Sequence, residues 1–113
     1  MRRVTDTIPP PSQIDFTEEG DAGVFSLRGE LDVATAPELR QRVGSFLEDH
    51  PGRPLVLDLG DVAFVDSTVL GVFVRATKLA QQSGASVAVR NPSASIRRVF
   101  ELTGIGALFA TDG

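Results

Sequence analysis

The chain has 113 residues, enough for one domain around a single core and too few for two. Its 42% hydrophobic and 23% charged content is that of an ordinary globular protein, and a net charge of −4, with no basic cluster beyond Arg2-Arg3 and Arg97-Arg98, argues against nucleic-acid binding. There is no cysteine for disulfides or thiolate metal sites, no apolar run near the roughly 18 residues of a membrane span, and no apolar segment after the N-terminal charges, so a cytoplasmic protein without membrane attachment is expected.

Met1 to Ser12, with Pro9-Pro10-Pro11 and little that can pack, predicts a mobile tail over 1–12 and a domain over 13–113. Ile14 to Glu19 alternates as an edge strand does, Gly20-Asp21 predicts a hairpin turn, and Val24 to Arg28 reads as the returning strand, ended by Gly29. Thr35-Ala36-Pro37-Glu38 predicts a helix start, with Thr35 as cap, Glu38 completing a capping box and Pro37 in the first turn, where a lost N–H costs little. Leu39, Val43, Phe46 and Leu47 then share one helical face, and His50-Pro51-Gly52 ends the element. Leu55, Val56, Leu57 and Leu59 predict a strand covered on both faces.

A second helix runs from Asp66 through Gln82, with Val69, Val72, Phe73, Ala76, Leu79 and Ala80 toward the core. Ser67, Gly71, Arg75, Lys78 and Gln82 lie opposite, with Val74 near them, and Ser83-Gly84 stops the helix. Val87 to Val89 is a short strand, Asn91-Pro92 caps a third helix with Ile96, Val99, Phe100 and Leu102 in its apolar pattern, Gly104 ends it, and Ala107 to Ala110 completes the order as a last strand. The predicted fold is an α/β domain: a mixed central β-sheet, begun by a β-hairpin and continued by alternating β/α units.

Asp32, Asp58, Asp61 and Asp66 are acids near strand ends, a placement compatible with a metal or a catalytic acid. No histidine or cysteine accompanies them, no Glu-x-x-His spacing occurs, and for Asp58 and Asp61 capping and turn formation suffice. Neither Gly-x-Gly-x-x-Gly nor Gly-x-x-x-x-Gly-Lys-Ser/Thr is present, and Gly104-Ile105-Gly106 is a helix exit. The only histidine, His50, stands in a turn without an acid-base partner, so Ser67 and Thr68 lack the base a hydrolase nucleophile needs. No catalytic residue, metal site or cofactor is expected.

Phe64-Val65-Asp66-Ser67-Thr68-Val69-Leu70-Gly71 remains. Two hydroxyls follow an acid where a helix begins, and the first amide N–H groups of a helix have no intrahelical partner. Asp66 or Ser67 can cap the helix, which accounts for one of three consecutive polar residues and leaves a surplus hydroxyl. A phosphate there would add roughly −1.5 to −2 charges to the surface. The segment reads either as a cap alone or as a covalent switch.

Gly29-Glu30-Leu31-Asp32, followed by Asp66-Ser67-Thr68-Val69-Leu70-Gly71 at a strand-to-helix junction, resembles the anti-sigma factor antagonists of the STAS-domain family. The second segment is similar to the family's Asp-Ser-Ser/Thr-Gly-Leu-Gly signature, and the element order agrees from about Gln13 to the C-terminus. The resemblance implies a non-enzymatic regulator of transcription, a phosphoprotein that works by partner switching: unphosphorylated, it binds an anti-sigma factor with serine/threonine kinase activity and frees a sigma factor, and phosphorylation releases it. Thr68 would be the acceptor, in preference to its neighbour Ser67, and Asp32 would help recognition or transfer. Asp32, Asp66, Ser67, Thr68, Gly71, Val74, Arg75 and Lys78 are the expected partner-binding residues, the protein being a monomer that forms a heterocomplex, with a phosphatase as a further partner. Val69 stands where the family has glycine, a departure that bears on kinase access. The alternative is a non-switching STAS interaction module, a scaffold or subunit of a sensory or transport assembly.

Overall fold

A computed structural model of the protein describes residues 13–110; the expected tail lies outside the described residues. Strands β1 (Ile14–Glu19) and β2 (Ala22–Leu31) form the hairpin, followed by α1 (Ala36–Asp49), β3 (Leu55–Val65), α2 (Ser67–Gln82), β4 (Val87–Arg90) and α3 (Ala94–Thr103). The sheet order is β1-β2-β3-β4, antiparallel at the hairpin and parallel at both later pairings. This is the mixed sheet that the hairpin and β/α units predict.

The apolar stripes of α1, α2 and α3 enter one cluster on one face of the sheet, centred on Leu39, Phe73, Leu55, Leu57 and Leu59. Leu70 and Thr77 of α2 are buried as well, beyond the predicted face; the Thr77 hydroxyl is satisfied by donating to the Phe73 carbonyl at 2.9 Å. No helix among the described residues packs on the other face, yet β3 is buried on both faces as expected, Val56 there being 5% exposed. Val24, Val56 and Ala88 form a separate buried stripe there. Arg90 on β4 makes a bidentate pair with Glu19 on β1, both bonds at 3.0 Å. Two strands intervene, so the two side chains meet across the face that carries the stripe.

Several boundaries differ from expectation, each for a physical reason. β2 does not stop at Gly29; it continues to Leu31, with Gly29 inside it at φ +84°. Between the Ser26–Asp58 and Leu31–Val65 pairs, β3 holds two more residues than β2, so the ladder is bulged on β3, and Gly29 lies opposite this stretch at a φ that favours glycine. Asp58 has the turn-forming role expected of it, accepting the Gly60 N–H at 3.0 Å within the bulged stretch.

The capping box of α1 is absent: Thr35 makes no side-chain cap, and its hydroxyl donates to the Gln13 amide oxygen at 3.3 Å. Asp32 organises this start instead, its carboxylate accepting the Ala34 N–H and its carbonyl those of Thr35 and Ala36. For α3 the cap is Ser93 rather than Asn91-Pro92, with Ser93 Oγ accepting the Ile96 N–H at 3.2 Å. Leu102, part of the expected apolar pattern, is 73% exposed. The final strand is replaced by a 3-10 turn over Ile105–Leu108; among the described residues there only Ala110 bridges to Ala88, while Phe109 packs against Phe73 and Phe100. Half-buried Phe109 packs against the core cluster there instead of extending the sheet.

Candidate functional site

The two motifs meet at the ends of parallel strands β2 and β3. Leu31 and Val65 are cross-strand partners, and the Asp66 N–H donates to the Leu31 carbonyl at 3.0 Å. Asp32 and Asp66 thus leave the sheet side by side, one leading into α1 and the other into α2. Crevices beyond the carboxyl ends of parallel strands are where α/β sheets place their binding residues.

Asp66 is the cap of α2: its extended backbone starts the helix and its Oδ1 accepts the Val69 N–H at 3.0 Å. This decides the capping question against Ser67. Ser67 and Thr68 are both exposed in the first turn, and neither hydroxyl has an intramolecular hydrogen-bond partner among the described residues. Val69 is 0% exposed and packed in the core. Its side chain therefore adds no bulk to the face that Thr68 presents, and the departure from the family glycine is an internal one.

Gly71, Arg75 and Lys78 continue along the exposed side of α2, with Val74 half-buried beside them. Thr68, Gly71, Val72 and Arg75 line a groove whose far wall is Arg40 of α1. Asp32, Asp66, Ser67 and Thr68 are thus gathered at the strand ends, and Gly71 and Arg75 adjoin them through the groove. Asp58 and Asp61 do not join, since they lie farther back along β3, where Asp61 is the cross-strand partner of Arg28. His50 is at the opposite end of α1, its ring centroid 5.1 Å from that of Phe46.

Three neighbours of the site, Val33, Phe64 and Arg40, were not among the expected partner-binding residues. Val33, directly after Asp32, is 67% exposed, and Phe64, two residues before Asp66, is 50% exposed. They give the acidic and hydroxyl-bearing edge an apolar component of the kind that anchors protein–protein contacts. An apolar residue inside an otherwise polar turn was the available signal for Val33. Strand parity gave none for Phe64, because the bulges in β3 reset it. Arg40 reaches the groove only through packing of α1 against α2.

No described helix is long and apolar enough to cross a membrane. Residues 13–112 match the family model described as STAS domain. An anti-sigma-B factor antagonist of Bacillus subtilis is 39% identical over 92 residues, covering 81% of this chain and 83% of the relative. Among solved structures, an anti-sigma factor antagonist from Mycobacterium paratuberculosis is 32% identical with a TM-score of 0.70, covering 87% of this chain and 82% of that one. The unphosphorylated form of the anti-sigma factor antagonist SpoIIAA shares the fold, with a TM-score of 0.77 at 19% identity over 88% of each chain.

Proposed function

The chain belongs to the STAS-domain family, and on that premise we propose that it is an anti-sigma factor antagonist switched by phosphorylation of Thr68. Unphosphorylated, it binds an anti-sigma factor that has serine/threonine kinase activity, and the sigma factor held by that protein is released. The contact face comprises Asp32, Asp66, Ser67 and Thr68 at the strand ends, Gly71, Val74, Arg75 and Lys78 along α2, and the exposed Val33 and Phe64. In the transfer step the Thr68 hydroxyl attacks the γ-phosphorus of ATP held by the kinase. A P–O bond to Thr68 forms, ADP leaves, and the hydroxyl proton passes to a base on the kinase. A phosphatase reverses the modification by hydrolysis.

The observation that carries this reading is the division of labour at the start of α2. Asp66 alone supplies the cap, which leaves an exposed Thr68 hydroxyl with no structural task. Phosphorylation adds roughly −1.5 to −2 charges in the middle of the contact face. A tenfold loss of affinity needs only about 1.4 kcal/mol, a modest demand on a charge brought into a docked interface.

The test is incubation with the cognate kinase and ATP, read by mass spectrometry. Wild type and Ser67→Ala are expected to gain one phosphate on Thr68 and to lose affinity for the kinase at least tenfold, whereas Thr68→Ala gains none. Equal modification of wild type and Thr68→Ala overturns the assignment of the acceptor. Recovery of a sensor or permease in place of a kinase-type anti-sigma factor from the native host overturns the antagonist role in favour of a non-switching module.

A further inference from the structure

The groove beside Thr68 is basic in an otherwise acidic protein. It encloses about 320 Å³ between α1 and α2, and both of its charged lining residues, Arg40 and Arg75, are cationic. Four other arginines of the described residues are paired with carboxylates: Arg28 with Asp15, Arg42 with Glu38, Arg53 with Glu18 and Arg90 with Glu19. Arg40 and Arg75 have no ion pair or side-chain hydrogen bond among the described residues. Glu48 lines the continuation of the same cleft between the helices without pairing with either.

We propose that Arg40 and Arg75 form an intramolecular clamp for the phosphate carried by Thr68. The clamp rests on the reading of Thr68 as the acceptor and adds to it a receptor for the phosphate within the same chain. Arg75 lies two helical turns C-terminal to Thr68 on the same stripe, about 10 Å along the axis. Helical side chains lean toward the N-terminus, the direction in which Thr68 lies from Arg75. Only Gly71 and Val72 stand between them in the groove. Gly71 is exposed, and a Cβ added there would meet nothing within 4 Å, so the path from Arg75 to Thr68 is unobstructed. Arg40 approaches from the opposite wall. Guanidinium groups match phosphate oxygens in bidentate geometry, and two of them offset the added charge. Asp32 and Asp66 stand on the strand-end side and repel a phosphate from it, toward the groove. The phosphorylated form then draws both arginines onto its own modified residue, away from any acidic group on the partner.

The experiment uses full-length protein with phosphothreonine built in at position 68 during synthesis, so no kinase is needed. Phosphorus NMR across pH reads the second ionisation of the phosphate, which lies near 6 for an unperturbed phosphoresidue. The midpoint in the wild-type background is expected about one pH unit below that of an Arg40→Gln/Arg75→Gln double variant. Gly71→Leu, which keeps both charges and fills the path, is expected to raise the midpoint in the same direction. Equal midpoints in wild type and the double variant overturn the clamp. A rise in the double variant with none in Gly71→Leu also overturns it, because a diffuse field and not contact would then account for the shift. Absence of phosphate on Thr68 in protein from the native host overturns the acceptor reading and leaves the titration result standing.

Discussion

Around Thr68, neighbouring residues divide structural and interactive work sharply enough for single substitutions to separate them. Asp66 satisfies the Val69 N–H. Asp66→Ala is expected to cost about 1 kcal/mol in urea denaturation, as loss of an N-cap does, while Asp66→Asn retains most of the stability because its amide oxygen still accepts. Val69 is fully buried. Restoring the family glycine there removes the buried side chain and adds a flexible residue to a helix, so Val69→Gly is expected to lose about 3 kcal/mol. A loss below about 1 kcal/mol would mean that Val69 is not the core residue described. Gly71 gives the converse case: a methyl group there meets open space, so Gly71→Ala is expected to raise stability by up to about 1 kcal/mol. A decrease would show the path beside Thr68 to be occupied.

At the scale of elements, the irregular end of β2 connects the hairpin to the site. Gln13 donates from its amide to the carbonyls of Arg28 and Glu30, on either side of Gly29, and accepts from Thr35 at the start of α1. A Cβ on Gly29 would lie 2.9 Å from the Gln13 amide nitrogen, at a backbone φ of +84°. Gly29→Ala is therefore expected to cost about 1–3 kcal/mol and to loosen the Asp32 turn, visible as faster amide exchange at Ala34 and Thr35. Unchanged exchange there would disconnect the bulge from the site. The same region shows why sequence reading stopped where it did. A glycine after an apolar run signals a strand end, and only the pairing with a longer, bulged β3 carries the strand past it. Thr35 fits a cap by local rules, but a glutamine 22 residues earlier takes its hydroxyl. The hydroxyl pair at the start of α2 was legible because capping and exposure there are decided within one helical turn.

On the scale of the whole molecule, the three described α-helices pack on one face of the sheet, and no described helix packs on the reverse. That arrangement was outside sequence reach for the same reason as the Arg40 groove: each joins residues whose proximity exists only after the layers assemble. Helical periodicity located the large cluster, whereas the short stripe of Val24, Val56 and Ala88 gave no sign of the Arg90–Glu19 pair that meets across its face. The Arg90 side chain is 26% exposed and that of Glu19 54% exposed, so their mutual attraction is well screened and contributes at most about 1 kcal/mol. If the stems matter more than the charges, Arg90→Met should retain most of the stability, and Arg90→Ala should fall below it by on the order of 1 kcal/mol in urea denaturation. Equal losses in the two variants would assign the contribution to charge instead. Arg90 pairs with Asp58, well short of the Leu31–Val65 pair where the candidate site begins, so both variants should bind the anti-sigma partner as wild type does while folded. Weakened binding by Arg90→Met would extend the contact surface to the open face of the sheet.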